Sequence, residues 1–149
     1  MNLPGPRDEH STIQLAESMV VFGGFSAGKR KNDMYQYFFK SNVWRRLIYS
    51  GQCCATPCPR SGHSASYKQS EDLKDYMYIF GGKDSNNKKL NDFWKFDFEL
   101  LKWTELSIKG GPSHRSGHTS SVYGDFLMIY GGIYDVTKEL NDLHIYSFK

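Results

Sequence analysis

A unit of sequence recurs in phase along this chain, and no other feature constrains the fold as much. In its most complete copy an apolar run, Tyr76 to Phe80, ends in Gly81-Gly82. A lysine-rich polar loop follows and closes at Asn91-Asp92, an alternating aromatic run from Phe93 to Phe98 leads to Trp103, and a Gly/Pro break precedes Arg115-Ser-Gly-His118. Upstream the same order reads Met19 to Gly24, Asn32-Asp33, Met34 to Phe39, Trp44 and Arg60-Ser-Gly-His63. Downstream it reads Phe126 to Gly132, Asn141-Asp142 and Leu143 to Phe148, and Arg7-Asp-Glu-His10 precedes the first copy. The double glycines lie 58 and then 50 residues apart and the Asn-Asp pairs 59 and then 50. Self-similarity at this period marks a repeat architecture.

Within each unit the apolar residues run continuously or alternate, without the i, i+3, i+4 recurrence of a helix. The first unit is expected to place strands at about His10 to Ala16, Met19 to Phe22, Met34 to Phe39 and Trp44 to Tyr49. The second places them at Ser64 to Lys68, Tyr76 to Phe80, Phe93 to Phe98 and Trp103 to Ile108. The third supplies Thr119 to Tyr123, Phe126 to Tyr130 and Leu143 to Phe148, with no fourth strand and no tryptophan. Four short strands joined by short loops make an antiparallel meander. So small a sheet cannot bury both faces alone, so the units must stack face to face.

These signatures resemble kelch repeats: an apolar strand ending in Gly-Gly, Asn-Asp before an aromatic strand, a spaced Trp, and Arg-Ser-Gly-His. The resemblance covers nearly the whole chain. It implies an all-β fold, a partial β-propeller of about three four-stranded blades at about 7–58, 59–113 and 114–149, the last incomplete. Propellers usually have four to eight blades, and six is usual in this family. The chain is therefore expected to be completed by further blades, from the rest of its protein or from another chain. Arg7-Asp-Glu-His10 lacks the glycine of its counterparts, so its strand entry is expected to differ.

Composition narrows the function. At 39% hydrophobic, 23% charged and 15% aromatic, the chain is globular and suited to strands. A net charge of +3 does not argue for nucleic acid. No apolar run approaches the roughly 20 residues of a spanning helix, and Met1 to Pro6 does not resemble a signal peptide. Cys53, Cys54 and Cys58, odd in number and in one loop, make a poor disulfide framework and favour a reducing compartment. The expected location is cytoplasmic or otherwise intracellular.

The recurring residues are candidate sites. His10, His63 and His118 occupy one position in successive blades; sheets pack about 10 Å apart, too far for their side chains to share one metal, so hydrogen-bonded structural histidines are expected. The three cysteines with His63 lack a second ligand pair for zinc. Arg7, Arg60 and Arg115 are read as tying neighbouring blades, and the Asn-Asp pairs as closing loops. No nucleophile with a base, no phosphate loop and no paired acid set is present. No catalytic, cofactor or metal residue is therefore assigned, and no cofactor is expected.

The expected function is a non-catalytic protein-interaction scaffold. The resemblance implies intracellular scaffolds, substrate adaptors of cullin ubiquitin ligases among them; the alternative is part of a phosphatase-linked or metal-dependent kelch enzyme whose catalytic residues lie elsewhere. In a meander the loop after the second strand and the link between blades emerge on one side. That side gathers Lys29, Arg30, Lys31, Lys83, Lys88, Lys89, Lys109 and Lys138 against Asp8, Glu9, Asp84, Asp135 and Glu139. The other side carries Glu17, Glu71, Asp72, Asp75, Glu99 and Asp125 against Lys40, Lys68, Lys74 and Lys102. The candidate partner-binding set is Lys29, Arg30, Lys31, Arg60, Ser61, Lys88, Lys89, Arg115 and Ser116, with an acidic or phosphorylated peptide as the partner. Its arginines are placed toward the centre of the face, where they could pair with carboxylates bidentately.

Overall fold

A computed structural model describes residues 3–49 and 56–149, and within them every regular element is a strand. Blade one comprises β1 (Ser11–Leu15) and β2 (Ser18–Phe22), then the two-residue strands β3 (Phe25–Ser26) and β4 (Lys29–Arg30), then β5 (Met34–Phe38) and β6 (Val43–Leu47). Blade two comprises β7 (Ser64–Gln69), β8 (Asp75–Lys83), β9 (Lys89–Asp97) and β10 (Lys102–Leu106). Blade three comprises β11 (Thr119–Tyr123), β12 (Phe126–Tyr130), β13 (Ile133–Asp135), β14 (Lys138–Glu139) and β15 (Leu143–Ser147). The sheets are ordered β1-β2-β5-β6, β7-β8-β9-β10 and β11-β12-β15, all antiparallel. The register repeats: Phe22 opposite Met34, Phe80 opposite Phe93 and Tyr130 opposite Leu143.

Strand β7 packs beside both β1 and β11, so the first strand of each blade lines the inner side of the stack. Period-two alternation then gives each sheet two faces. Ile13, Val20, Phe22 and Met34 of blade one meet Met77, Ile79, Trp94, Phe96 and Trp103 of blade two. Tyr78, Phe80 and Phe93 from the other face of blade two meet Leu127 and Ile129 of blade three. Burying large aromatics and aliphatics at about 25 cal/mol per Å2 of apolar area makes these two interfaces the core of the molecule.

The last blade lacks a neighbour on its far face. Tyr130 and Leu143 are 54% and 56% exposed, whereas their counterparts Phe22, Met34, Phe80 and Phe93 are at most 1% exposed. Ile145, Phe126 and Tyr123 on the same face are exposed as well. At the other end, blade one is better covered than blade three: Val21 and Tyr35 are buried, and the Arg7 guanidinium lies over the Tyr35 ring at 5.4 Å, leaving Met19, Tyr37 and Trp44 half-buried.

Two local expectations need correction. The loop after the double glycine is itself a narrow antiparallel ribbon: β3–β4 in blade one, β13–β14 in blade three, and a continuation of β8 and β9 past a bulge in blade two. Entry into β1 does not differ from entry into β7 or β11, because Glu9 takes φ +49° where Gly62 and Gly117 take +65° and +68°. The strain of a left-handed non-glycine residue is accepted there to keep the joint described below.

Candidate functional site

The double glycine, the Arg-x-Gly-His motif and the Asn-Asp pair prove to be parts of one joint. Arg60 enters blade two with its backbone paired to blade one: its N–H donates to Lys31 O at 2.9 Å, and its carbonyl accepts from Gly24 N–H at 2.9 Å. Its side chain, fully buried, turns into its own blade, where Nη1 donates to Gly81 O at 3.0 Å and to Asp92 Oδ1 at 2.8 Å, and Nη2 to Asp92 Oδ2 at 2.6 Å. Arg115 repeats this with Leu90 O, Gly82 N–H, Gly131 O and Asp142. Arg7 makes the same guanidinium contacts to Gly23 O and Asp33. Bidentate, charge-assisted pairs of this kind are strong and directional. Burial raises the Asp92 carboxyl, but hydrogen bonds from Arg60 and Trp94 outweigh it and hold the group below its ordinary value; Arg115 and His144 hold Asp142 well below it.

The histidines complete the joint. His63 Nε2 lies 2.7 Å from Ser11 Oγ of the preceding blade, and His118 Nε2 lies 3.1 Å from Phe80 O. A carbonyl only accepts, so His118 carries its proton on Nε2. Each ring stands edge-on to a phenylalanine, Phe22 at 5.3 Å and Phe80 at 5.4 Å. Burial, reinforced by the nearby Arg60, lowers the His63 pKa to about 3; burial and Arg115 lower that of His118 to about 4. Both imidazoles are therefore neutral at physiological pH. His10, with no blade before it among the described residues, is exposed.

This geometry corrects part of the expected partner-binding set. Arg60 and Arg115 are buried, and the forks that were to receive a ligand's carboxylate are filled by Asp92 and Asp142. Ser61 is buried, donating to Glu9 Oε2 at 2.6 Å and accepting from Arg30 Nε at 2.9 Å. Ser116 is buried and its backbone pairs with Ile133. The remaining residues, Lys29, Arg30, Lys31, Lys88 and Lys89, lie on the ribbons. These share one end of the molecule with the inter-blade links, since Lys31 bridges to Arg60, Leu90 to Arg115 and Ser61 to Lys83. Arg30 also donates to Asn87 Oδ1 at 2.7 Å, tying the ribbons of blades one and two together, and Glu9 lies 3.7 Å from Lys83. The cross-blade roles of Glu9 and Asn87 are not visible in the sequence, because their partners are 52 and 57 residues away.

The two ends differ in how their charges are matched. Among the described residues, Lys29, Arg30, Lys31, Lys88 and Lys89 have no carboxylate at ion-pair distance. At the opposite end Lys68 and Lys149 both pair with Asp125, and Lys74 pairs with Asp72. A groove of about 570 Å3 at that end is lined by Lys68, Asp72, Asp125 and Lys149 of these pairs and by Glu71, with Tyr76, Tyr78 and Phe148. No group of His, Cys, Asp and Glu among the described residues could hold a metal ion; Cys53 and Cys54 lie outside them. Among the same residues no helix is long and apolar enough to cross a membrane.

Residues 53–149 match the KLHDC2/KLHL20/DRC7 Kelch-repeats domain. A probable serine/threonine-protein kinase of Dictyostelium discoideum is 35% identical over 83% of this chain and 9% of its own length. An F-box/kelch-repeat protein of Arabidopsis thaliana is 36% identical over 60% of this chain and 18% of its own length. Kelch domain-containing protein 3 of Rattus norvegicus is 27% identical over 94% of this chain and 39% of its own length. The chain thus spans well under half of each of these relatives.

Proposed function

The chain belongs to the kelch-repeat family, and from that premise we propose that it is a non-catalytic protein-interaction module that docks an acidic or phosphorylated peptide on its ribbon end. One observation carries this reading. Lys29, Arg30, Lys31, Lys88 and Lys89 on the ribbon end have no carboxylate at ion-pair distance among the described residues, although Lys83 beside them pairs with Glu9, while Lys68, Lys74 and Lys149 at the opposite end are paired in place. Unmatched charge on loops held by a rigid scaffold attracts a complementary partner and raises its rate of encounter. The same kind of repeat occurs as a small part of proteins as different as a probable kinase and an F-box protein, which supports a modular role. A ubiquitin-ligase substrate adaptor is the narrower form of the reading and rests on the family resemblance.

The test is charge reversal read on an array of acidic, phosphorylated and neutral peptides. Wild-type chain should retain the acidic and phosphorylated members. A variant carrying Lys29, Arg30, Lys31, Lys88 and Lys89→Glu should lose them, and one carrying Glu71, Asp72 and Asp75→Lys should not. Loss in the second variant alone, or retention of neutral peptides only, would contradict the reading.

A further inference from the structure

The row of blades carries one unused half of its own joint at each end. At the first joint Arg60 N–H donates to Lys31 O, Gly24 N–H to Arg60 O and Gly62 N–H to Glu9 O, each at 2.9 Å. At the second, Arg115 N–H donates to Leu90 O, Gly82 N–H to Arg115 O and Gly117 N–H to Gly62 O, at 2.8–3.0 Å. In both, the incoming histidine ring covers the first glycine of the pair, His63 over Gly23 and His118 over Gly81.

Blade three offers the receiving half a third time. Among the described residues Leu140 O, Gly132 N–H and Gly117 O have no backbone partner, and a Cβ built on Gly131 would meet only Leu140 O within 4 Å. The uncovered Tyr130 takes the place of the phenylalanine, and Leu143 and Ile145 extend the apolar surface beside it. Blade one holds the inserting half. The backbone of Arg7 and the N–H of Glu9 are likewise unpaired, Glu9 already has the conformation of Gly62 and Gly117, and His10 is exposed. Behind them stand Met19, Tyr37 and Trp44, counterparts of the Met77, Phe96 and Trp103 that seal the first joint. Blade two separates the halves within the described residues, so a second copy of the chain can supply each with its complement.

We propose that two copies of this chain associate head to tail, Arg7 to His10 of each seating on Gly131, Gly132 and Leu140 of the other, to close a six-bladed ring. Head-to-tail contacts form rings when the rotation closes. Propellers close with four to eight blades, and six is the one multiple of three in that range. The joint is the one already used twice within the chain, and the face it would cover exposes Tyr123, Phe126, Tyr130, Leu143 and Ile145 side by side, the kind of contiguous apolar patch that marks an association surface.

Sedimentation equilibrium of the chain should give twice its 17.2 kDa. Leu143→Glu with Ile145→Glu blocks the receiving half, and His10→Glu blocks the inserting half. Each variant alone should fall to a single 17.2 kDa species. Mixed, they should form a dimer again, because one intact joint remains between unlike copies. A wild-type monomer, an unbounded ladder of sizes, or variants that stay dimeric alone would overturn the proposal. Hydrogen exchange on the wild-type chain gives a readout free of mutation. The amides of Gly132 and Glu9 should become protected as concentration rises, while Gly24 and Gly82 are protected throughout. Association that leaves Gly132 and Glu9 unprotected would place the contact elsewhere and also overturn it.

Discussion

The ring of His63 stands over Gly23 of the preceding blade so closely that a Cβ there would lie 2.9 Å from His63 Cε1, and 3.0 Å from Arg60 O. Gly81 has the same relation to His118 at 3.0 Å. The double glycine is therefore the floor on which the next blade's histidine rests.

Gly23→Ala should cost roughly 2–5 kcal/mol: about 1–2 for a left-handed alanine and about 1–3 for overpacking. Gly28 has a similar φ, +73°, but nothing within 4 Å of its Cβ. Gly28→Ala should therefore show only the strain, about 1–2 kcal/mol. Urea denaturation of both variants separates the two contributions; equal losses would contradict the contact.

Arg60→Lys should cost about 1.5–3 kcal/mol, since an ammonium keeps the charge but cannot fork across Asp92 while also reaching Gly81 O, so charge-assisted hydrogen bonds are lost. Thermal melts of this variant beside Lys83→Arg, at a partly exposed pair, supply the comparison.

The pH response follows from the histidines. His63 and His118 have folded pKa values of about 3 and about 4, below the 6.5 of a free imidazole. The unfolded chain binds protons first, so their contribution is complete above pH 6.5 and falls as the solution is acidified. Each histidine should cost about 1.4 kcal/mol per pH unit below that point, or about 2 kcal/mol at pH 5. Asp92 and Asp142, whose folded pKa values are depressed, add a second loss only near and below the ordinary carboxylate value. Denaturant midpoints between pH 7 and pH 5 should drop in wild type and drop less in His118→Gln. A flat profile would contradict neutral buried imidazoles.

Trp103 and Trp44, two of the three tryptophans, test which faces are covered. Trp103 is 2% exposed and packs against Phe22, Trp94, Phe96 and Tyr49. Trp103→Ala should cost about 3–5 kcal/mol. Trp44, half-buried on blade one and touching chiefly Tyr37, should cost clearly less in a dissociated chain.

Much of this was legible in the sequence because the unit is written three times. Phase alone located the blade strands, and their ends shifted by a few residues at most, the largest shift being where β8 and β9 run on into the ribbon. The two-residue strands were hidden, since a ribbon such as β3–β4 is too short to show alternation. Glu9 reads as a departure from the pattern because nothing in its identity announces a left-handed φ. The roles of Arg60 and Arg115 were half-read. Their repetition showed that they are structural, but their acid partners lie 32 and 27 residues away and are named only by the fold. The burial of Ser61 and Ser116, which the sequence places on the docking face, is likewise set by partners distant in the chain, Glu9 and Ile133.

The most direct test of the docking account is the salt dependence of association with an acidic peptide selected on the array. Stopped-flow rates between low and physiological ionic strength should show the association rate falling steeply while the dissociation rate changes little, because exposed lysines steer encounter and are screened beyond about 10 Å at 0.1 M salt. The charge-reversed ribbon variant should lose that dependence. An association rate that ignores salt, or one that keeps its salt dependence after Lys29, Arg30, Lys31, Lys88 and Lys89 are reversed, would contradict the assignment of the ribbon end as the docking face.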